Sequence, residues 1–234
     1  FINQKKDDKP KMVRDKFARP QLFLEISGTD QQTIIKNLKN VTNFSINEFQ
    51  KGEIAENKRR ILKSTLNKTN LEDLLFLSLK IPSAYSIFKQ EKKTIWFQKL
   101  LKNGSSNIIV SELNITKEVF ESSTLKDAII FRDSLNKSFV PGRNEGSYMI
   151  TEQAYMPYFS EVKVNGFSAK ETRGTWEVNG DFMGGPFINY IAKDSINDRV
   201  LYFEGFIFSP SQRKRDGIIE IESIIKSLKI FEKN

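Results

Sequence analysis

The spacing of apolar residues changes along the chain from a helical to a strand-like period. Apolar residues recur every three or four positions from Gln31 into the 40s, with continuation towards Ile61, which predicts a long helix. The residues with this spacing are Ile34, Ile35, Leu38 and Val41. A short apolar run at 21–26 precedes the helix and predicts a single strand.

Helical spacing returns three more times. A short helix is predicted after Asn70 and ends before Pro82, because proline disfavours helical backbone in the residue before it. Longer helices are predicted at 124–137, beginning at the capping residue Thr124, and at 217–231, where isoleucines line one face. The strand-like runs that lie between the short helix and Thr124 are 84–89, 94–98 and 107–113.

From residue 148 onward the period is close to two, which is typical of strands. Asn-Gly and Asn-Asp dipeptides separate the apolar runs and suit tight turns, so consecutive strands are expected to form antiparallel hairpins. The predicted strands are Tyr148–Thr151, Tyr155–Val164, Ser168–Val178, Pro186–Ala192 and Val200–Ser209.

These elements predict an α+β fold, a twisted antiparallel meander with the 124–137 and 217–231 helices packed on one face. Residues 80–234 are expected to form this domain. Residues 1–79 are expected to form a smaller strand-plus-helix unit that begins with a basic segment, extended or poorly ordered. One strand is not stable as a sheet, so the strand at 21–26 requires partners from the second half, from missing residues or from another protein.

Composition excludes several kinds of chemistry. The chain has no Cys and no His, which excludes a disulfide framework, thiolate metal ligands, cysteine nucleophiles and serine–histidine catalysis. No metal motif is present and no cofactor is expected, because Gly184-Gly185-Pro186 lacks the Lys-Ser/Thr of a phosphate-binding loop. An enzyme of this composition would have to use Asp, Glu, Lys, Ser or Tyr.

The chain is basic, with a net charge of +8 from 37 Lys and Arg and 29 Asp and Glu. This charge indicates either a solvated basic surface or contact with an anionic surface such as phosphate head groups. No nucleic-acid partner is expected, because the chain has no RNA-recognition motif, zinc finger or heptad array. No apolar run approaches the ~20 residues that a membrane-spanning helix needs.

The sequence from Arg173 to Tyr190 combines aromatic residues with four glycines and is the first candidate site. In one interpretation the glycines let backbone N–H groups approach a ligand beside an apolar wall. In the other, Trp176 and Phe187 are core residues and the glycines serve a bulge or a tight turn. The residues of this candidate site are Tyr148, Arg173, Trp176, Asp181, Phe182, Met183, Gly184 and Gly185.

Two other groups of polar residues are candidates. Four carboxylates lie on neighbouring predicted strands, as a glycosidase or a hard-cation site requires, but their spacing does not specify a pair. They are Glu171, Glu177, Asp181 and Glu204. A basic cluster precedes the last helix, where the helix dipole disfavours cations, and this position favours an external partner. The cluster is Arg213, Lys214 and Arg215.

Several blocks of sequence carry a family resemblance. They are Gly146-Ser-Tyr-Met149, Val164-Asn-Gly166, the long motif Arg173–Phe187, and Glu204-Gly-Phe-Ile-Phe-Ser-Pro210 followed by Lys214-Arg215. Together they resemble an envelope lipoprotein family of Bacteroidota, domain-of-unknown-function family 4837. The similarity extends upstream through 17–21 and 56–60, so it covers nearly the whole chain.

The resemblance implies an exported protein that an N-terminal lipid on a Cys residue anchors at the outer membrane. Because this chain has no Cys, it is expected to be the C-terminal portion of a longer protein. The resemblance implies no known activity and no catalytic residues. Two triplets, Asp133-Ser-Leu135 and Asp194-Ser-Ile196, are similar to the sequence that Bacteroidota O-glycosylate on exported proteins.

These features predict a non-enzymatic module that acts as a subunit or accessory of an outer-membrane protein assembly. The alternative is a glycan-binding or small-molecule-binding protein, or a carboxylate-dependent hydrolase, with a pocket bounded by Trp176 and Tyr148. Two observations separate these classes. Two converging carboxylates in a concave site favour an enzyme, whereas a packed Trp176 counts against every pocket at that place.

Overall fold

The structure is a computed structural model, and it describes residues 9–233. Its contacts divide the chain into two compact units, 1–59 and 60–234. The first unit contains strands β1 (Lys11–Arg14) and β2 (Leu22–Glu25) and nearly all of the long helix α1 (Gln31–Ile61). None of the helices in the described part of the chain is long and apolar enough to cross a bilayer.

The strand predicted at 21–26 is β2, and its partner is β1. The register pairs Met12 with Leu24 and Val13 with Phe23. The partner therefore comes from the basic segment that was expected to be extended or poorly ordered, of which residues 1–8 lie outside the described residues. Four residues with a charge at each end carry too little periodicity for β1 to be recognised in the sequence.

The long helix α1 begins with a side-chain cap and continues through a glycine. The Thr33 backbone N–H donates to Asp30 Oδ1 at 2.8 Å, and this bond lowers the pKa of Asp30. A Cβ atom at Gly52 would lie 2.6 Å from Leu22 Cδ1, so glycine lets the helix pack closely on β2. The helix therefore continues through Gly52 to Ile61.

The second unit is built around one large sheet. Its first part contains α2 (Leu71–Leu75), β3 (Leu77–Ser78), β4 (Ser86–Glu91), β5 (Thr94–Leu101), β6 (Gly104–Leu113), α3 (Lys117–Ser122) and α4 (Leu125–Phe139). Its second part contains β7 (Met149–Thr151), β8 (Tyr158–Val164), β9 (Phe167–Val178), β10 (Asp181–Asp194), β11 (Arg199–Phe208), α5 (Arg215–Ile225) and β12 (Lys229–Ile230).

The strands of the sheet follow the order β4-β5-β6-β11-β10-β9-β7, and β8 also pairs with β9. Every neighbouring pair is antiparallel. The predicted α+β class and antiparallel meander are confirmed. The pairing of β6 with β11 joins a hairpin from the first part of the unit to the meander from the second part, and β3 and β12 form a separate two-stranded sheet.

The two long helices of this unit cover opposite faces of the sheet, which corrects the expectation of one common face. On β11, Leu201 and Phe203 belong to the hydrophobic cluster that contains α5, called here the α5 face. Tyr202 and Phe206 point the other way, into the cluster that contains α3 and α4, called here the α4 face. Both faces of the central strands are buried, so β11 is almost continuously apolar rather than alternating.

The start of the second unit lies before the boundary expected from the sequence. Contacts divide the chain at 59/60, whereas the sequence suggested 79/80. Residues 60–79 supply fully buried leucines to the α5 face. Those leucines are Leu71, Leu75 and Leu77.

Candidate functional site

The candidate motif from Arg173 to Tyr190 forms the hairpin of β9 and β10. Its turn contains Gly180, whose φ of +81° is a left-handed conformation that glycine adopts without a steric penalty. Successive side chains of the hairpin point to opposite faces of the sheet. The residues of the motif are therefore divided between the α4 face and the α5 face and do not form one continuous wall.

Trp176 is a core residue of the α4 face. Its side chain is 3% exposed, and its ring centroid lies 5.6 Å from that of Phe206 and 6.3 Å from that of Phe208. The ring packs edge-on against Phe206, an arrangement that aromatic pairs favour. This packing does not support the alternative prediction of a ligand pocket bounded by Trp176.

Gly184 and Gly185 lie where strands approach closely. The register of β9 and β10 shifts between Asp181 and Gly184, which marks a bulge. A Cβ atom would lie 2.8 Å from Trp176 O at position 184 and 2.1 Å from Ile207 O at position 185. These backbone oxygens occupy the space beside the glycines, so the geometry favours the bulge interpretation over the approach of a ligand.

The other residues near the turn have separate environments. Arg143 Nε and Nη2 each donate to the Asp181 carboxylate at 2.9 Å, and these bonds hold the pKa of Asp181 below its usual value. Met183 packs against the α4-face core. The Lys137 ammonium lies 5.3 Å from the Tyr148 ring centroid. Phe182 is fully exposed.

Arg173 belongs to an ion-pair cluster on the α5 face. Its Nε donates to Glu171 Oε1 at 2.6 Å and its Nη2 donates to Glu222 Oε1 at 2.8 Å. The Tyr190 hydroxyl accepts from Nη2 at 3.5 Å. Burial, followed by the charges of Glu171 and Glu222, raises the pKa of Tyr190. The cluster connects the sheet to α5 and leaves no unpaired charge among these four groups.

The basic cluster Arg213, Lys214 and Arg215 lies at the start of α5. Lys214 occupies the N-cap position and is half-buried, whereas Arg213 and Arg215 are exposed. Arg215 Nη1 lies 3.4 Å from Asp216 Oδ1. The cluster is thus a surface feature of the second unit.

The four candidate carboxylates do not converge. Glu171 lies on the α5 face beside Arg173, and Glu204 lies in the α4-face core beside Arg132. Asp181 lies at the hairpin turn, and Glu177 is half-buried on β9. Among residues 9–233 no group of three or more acidic side chains is placed to hold a metal ion.

Asp194 shapes a turn. Its Oδ1 accepts from the backbone N–H groups of Ile196 and Asn197 at 3.0 and 3.1 Å, and its Oδ2 accepts from Arg199 Nε at 2.7 Å. Burial raises the pKa of Asp194, but the hydrogen bonds from Arg199 and Asn197 outweigh burial and lower it. The carboxylate is therefore occupied by protein donors.

A buried polar cluster under α4 was missed in the sequence. Arg132 Nη2 donates to Glu204 Oε1 at 2.7 Å, and Asn136 Nδ2 donates to Glu204 Oε2 at 3.2 Å. The Tyr202 hydroxyl donates to the same Oε2, and burial together with the Glu204 charge raises the pKa of Tyr202. A glutamate inside an apolar strand and an arginine on the buried face of a helix are the signals that could have identified the cluster.

Several buried polar atoms around this cluster have no partner among the described residues. Thr172, Asn189 and Glu204 lie side by side on β9, β10 and β11. The unpaired atoms there are Thr172 Oγ1, Asn189 Oδ1, Asn136 Oδ1 and Arg132 Nε. A buried polar group without a partner costs roughly 1–3 kcal/mol.

Three large apolar side chains beside the sheet edge at β8 are exposed. Tyr155, Met156 and Tyr158 are 72%, 83% and 83% exposed and follow one another along the chain just before and at the start of β8. We call these three residues the edge patch. Phe182, at the β9–β10 turn, is a further exposed aromatic residue. Large apolar groups exposed together are typical of interaction surfaces.

A groove lies on the α4 face beside β8 and has a volume of about 450 Å³. Its charged lining consists of Glu121, Glu161, Lys163, Lys170 and Lys193. Lys170 Nζ donates to the carbonyl oxygens of Glu121 and Ser123 at 2.8 and 2.5 Å, and Lys193 pairs with the Glu121 carboxylate. These bonds fix the end of α3 and leave the β8 side of the groove open.

Two comparisons with known proteins give little beyond this geometry. No curated protein matches the chain. Among solved structures, LpqN, described as involved in cell envelope biogenesis of Mycobacterium tuberculosis, is similar at 13% identity and a TM-score of 0.38. The alignment covers 66% of this chain and 83% of that chain. A TM-score this low transfers neither a fold nor a function.

The family comparison is specific. Residues 1–62 match a domain of unknown function (DUF8532), and residues 64–227 match a domain of unknown function (DUF4837). The second match contains the whole Arg173–Tyr190 hairpin, together with α4 and the large sheet to which the hairpin belongs. The match covers well over half of the chain, and the chain therefore belongs to the DUF4837 family, as the resemblance in its sequence indicated.

Proposed function

We propose that this chain is a non-enzymatic binding module that acts as a subunit or accessory of an outer-membrane protein assembly. In this proposal the protein is exported, and a lipid at the N-terminus of a longer form anchors it to the outer membrane. The partner is an integral outer-membrane protein. The observation that carries the proposal is the exposure of the edge patch, with side chains that are 72–83% exposed.

The composition of the edge patch suits a protein partner. Tyr and Met are enriched at protein interfaces, because each contributes a large apolar area and Tyr adds a hydrogen-bonding group. The patch lies beside an open sheet edge and not in a concave site. It therefore favours a partner with an extended surface over a small molecule, which binds in a concave pocket.

The arrangement of charges supports a role without catalysis. Three of the four candidate carboxylates are bound to a cation: Glu204 to Arg132, Glu171 to Arg173 and Asp181 to Arg143. They lie on different faces or at the end of the sheet. A glycosidase requires two carboxyl groups facing one reaction centre, which this distribution does not provide.

The test is photo-crosslinking of the full-length protein in its native membrane. A photoreactive phenylalanine analogue at Tyr155 or Met156 is expected to crosslink one integral outer-membrane protein in stoichiometric yield. The matched control is the same analogue at Leu100, which is 79% exposed near the end of β5. Leu100 tests whether exposure alone produces the crosslink.

A serine variant of the edge patch, Tyr155→Ser with Met156→Ser, is expected to lose the partner in a pull-down from solubilised membranes. Leu100→Ser should retain it. Purification of the native full-length protein without any integral partner, or equal crosslinking from Leu100, contradicts the proposal.

A further inference from the structure

We propose that strand β8 pairs with β8 of a second copy of this chain, so that the two sheets join into one. The outer side of β8 pairs with no other strand in the described part of the chain, because its only partner there is β9. An unpaired edge presents a row of backbone N–H and C=O groups that another strand can bind. The inference does not depend on the proposed function.

The two edge strands of the large sheet differ in how they are protected against pairing with another strand. At the opposite edge, β4 has a register irregularity between Ile87 and Lys89, and Lys89 pairs with Glu91 at 3.0 Å. Bulges and charges of this kind block pairing between edges. The register of β8 with β9 has no irregularity from Tyr158 to Val164. Strand β8 is therefore the edge that is regular enough to accept another strand.

The hairpin that carries β8 is held in place. Asn165 and Gly166 both have positive φ, at 46° and 94°, which is the backbone of a tight two-residue turn. Asn165 Nδ2 donates to Leu228 O at 2.7 Å and ties the turn to the chain beyond α5. A fixed edge loses less conformational entropy on pairing than a mobile one.

The charges of two residues on β8 favour a second copy of this chain as the partner of the strand. Glu161 and Lys163 are exposed, lie two residues apart on one face of β8, and form no ion pair with any other described residue. In a symmetric antiparallel pair centred on Val162, Glu161 of each copy faces Lys163 of the other. Two opposite-charge pairs then form across the junction.

The neighbouring symmetric registers are unfavourable. A pair centred on Glu161 places the two Glu161 carboxylates opposite each other. A pair centred on Lys163 places the two Lys163 ammonium groups opposite each other. Like charges directly opposite each other destabilise a strand pair. The register centred on Val162 is thus the one that the side chains select, and the groove beside Glu161 and Lys163 leaves room for the incoming side chains.

The first experiment measures self-association of the 234-residue chain by sedimentation velocity. The wild type is expected to dimerise, and Glu161→Lys and Lys163→Glu are each expected to raise the dissociation constant roughly tenfold or more. The double swap Glu161→Lys with Lys163→Glu restores the complementary charges and is expected to restore the dimer. The matched control for net charge is Glu145→Lys, at an exposed loop position.

Three outcomes overturn the inference: a wild type that is monomeric at every concentration, single variants that dimerise as well as the wild type, or a double swap that stays monomeric although folded by circular dichroism. Loss of an outer-membrane partner in Glu161→Lys, combined with a monomeric wild type, assigns the edge to that partner and also overturns it. The edge patch variants leave residues 159–165 intact, so the two proposals fail independently.

A second measurement tests the register directly and does not depend on a change of charge. The chain has no cysteine, so one introduced thiol is unique. Val162→Cys is expected to form an intermolecular disulfide when copper phenanthroline accepts the two electrons, because Val162 faces its own copy across the symmetry axis. Ser160→Cys faces Val164 and is expected to stay reduced. Crosslinking at 160 and not at 162 contradicts the register.

Discussion

Arg132 Nη2 and Glu204 Oε1 lie 2.7 Å apart between α4 and β11, with side chains that are 1% and 0% exposed. Arg132 Nη1 also donates to Thr151 Oγ1 at 2.9 Å, and the guanidinium lies 3.9 Å from the Phe187 ring centroid. The ion pair joins a helix to a central strand at a place without solvent. Removal of Arg132 therefore leaves the Glu204 carboxylate buried without a counter-charge, whereas removal of Glu204 leaves Arg132 with only the partly exposed Asp133, at 3.1 Å.

Glu204→Gln keeps the volume of the side chain but removes the buried counter-charge of Arg132, whose other carboxylate partner, Asp133, is 28% exposed. We expect the free energy of unfolding to fall by about 3–5 kcal/mol, because breaking a buried ion pair has a cost of this size. The double variant Arg132→Met with Glu204→Gln contains no buried charge and is expected to lose much less. Urea unfolding followed by tryptophan fluorescence measures both, and equal instability of the two variants would show that charge is not the cause.

Trp176→Ala is expected to destabilise the second unit by about 3–5 kcal/mol, because it leaves a cavity among Phe206 and Phe208. Phe182→Ala, six residues further along the same hairpin motif, removes a fully exposed ring and should change stability by less than about 0.5 kcal/mol. Thermal unfolding compares the two. A Trp176→Ala protein as stable as the wild type would restore the idea of a ligand-facing tryptophan.

Gly185→Ala is expected to be strongly destabilising, because its Cβ would lie 2.1 Å from the backbone oxygen of Ile207, which cannot move without breaking the sheet. Gly217→Ala is the matched control in α5. There the Cβ would lie 2.5 Å from Ile207 Cδ1, the flexible end of a side chain, and alanine gains about 1 kcal/mol of helix propensity. Chemical denaturation of both variants is the measurement, and a tolerated Gly185→Ala would contradict the close approach of the strands.

Stability is expected to decrease in acid because of Glu222 and Asp194. Burial raises the pKa of Glu222, but hydrogen bonds and charges from Arg173 and Lys226 outweigh it and hold the pKa below the ordinary 4.5. The pKa of Asp194 is likewise held below 3.8. A carboxyl group with a lowered folded-state pKa stabilises the fold above its unfolded-state pKa, and this contribution is lost as the pH falls through the folded-state value.

The unfolding free energy should therefore be nearly constant above about pH 5 and decline progressively below it. Urea titrations at several pH values between neutrality and acid measure this dependence. Glu222→Gln cannot titrate at this position and is expected to show a shallower decline than the wild type. A decline of the same steepness in Glu222→Gln would show that this carboxylate does not contribute to the loss of stability in acid.

Local pattern and turn chemistry predicted the strands of the meander well. The alternation and the Asn-Gly steps place β8, β9 and β11 close to their observed bounds. The start of β10 was misplaced, because Gly184, Gly185 and Pro186 are residues that usually interrupt a strand. Pairing with β9 continues across the bulge to Asp181, since the neighbouring backbone supplies the partners.

For the candidate site, too, the sequence predicted the local features but not the burial of the side chains. The Arg173–Phe187 motif identified the family from its residues alone, and the tight turn at Gly180 followed from the Asn-Gly step. The burial of Trp176 and the exposure of Phe182 did not follow from the sequence. A period of two shows which residues of a strand share a face of the sheet, but not which face is covered by the rest of the protein.

The sequence by itself determined the class of the longer elements, the hairpin order of the meander and the family, although the predicted last helix at 217–231 ends at Ile225 and is followed by β12. Only the tertiary structure decided that α4 and α5 cover opposite faces, that β1 completes the strand pair of the first unit, and that Arg132 meets Glu204 across 72 residues of chain. The physical reason is the distance along the chain over which each kind of interaction acts. Propensity, capping and turn geometry act over a few residues, whereas the choice of a face or an ion-pair partner depends on contacts between distant segments.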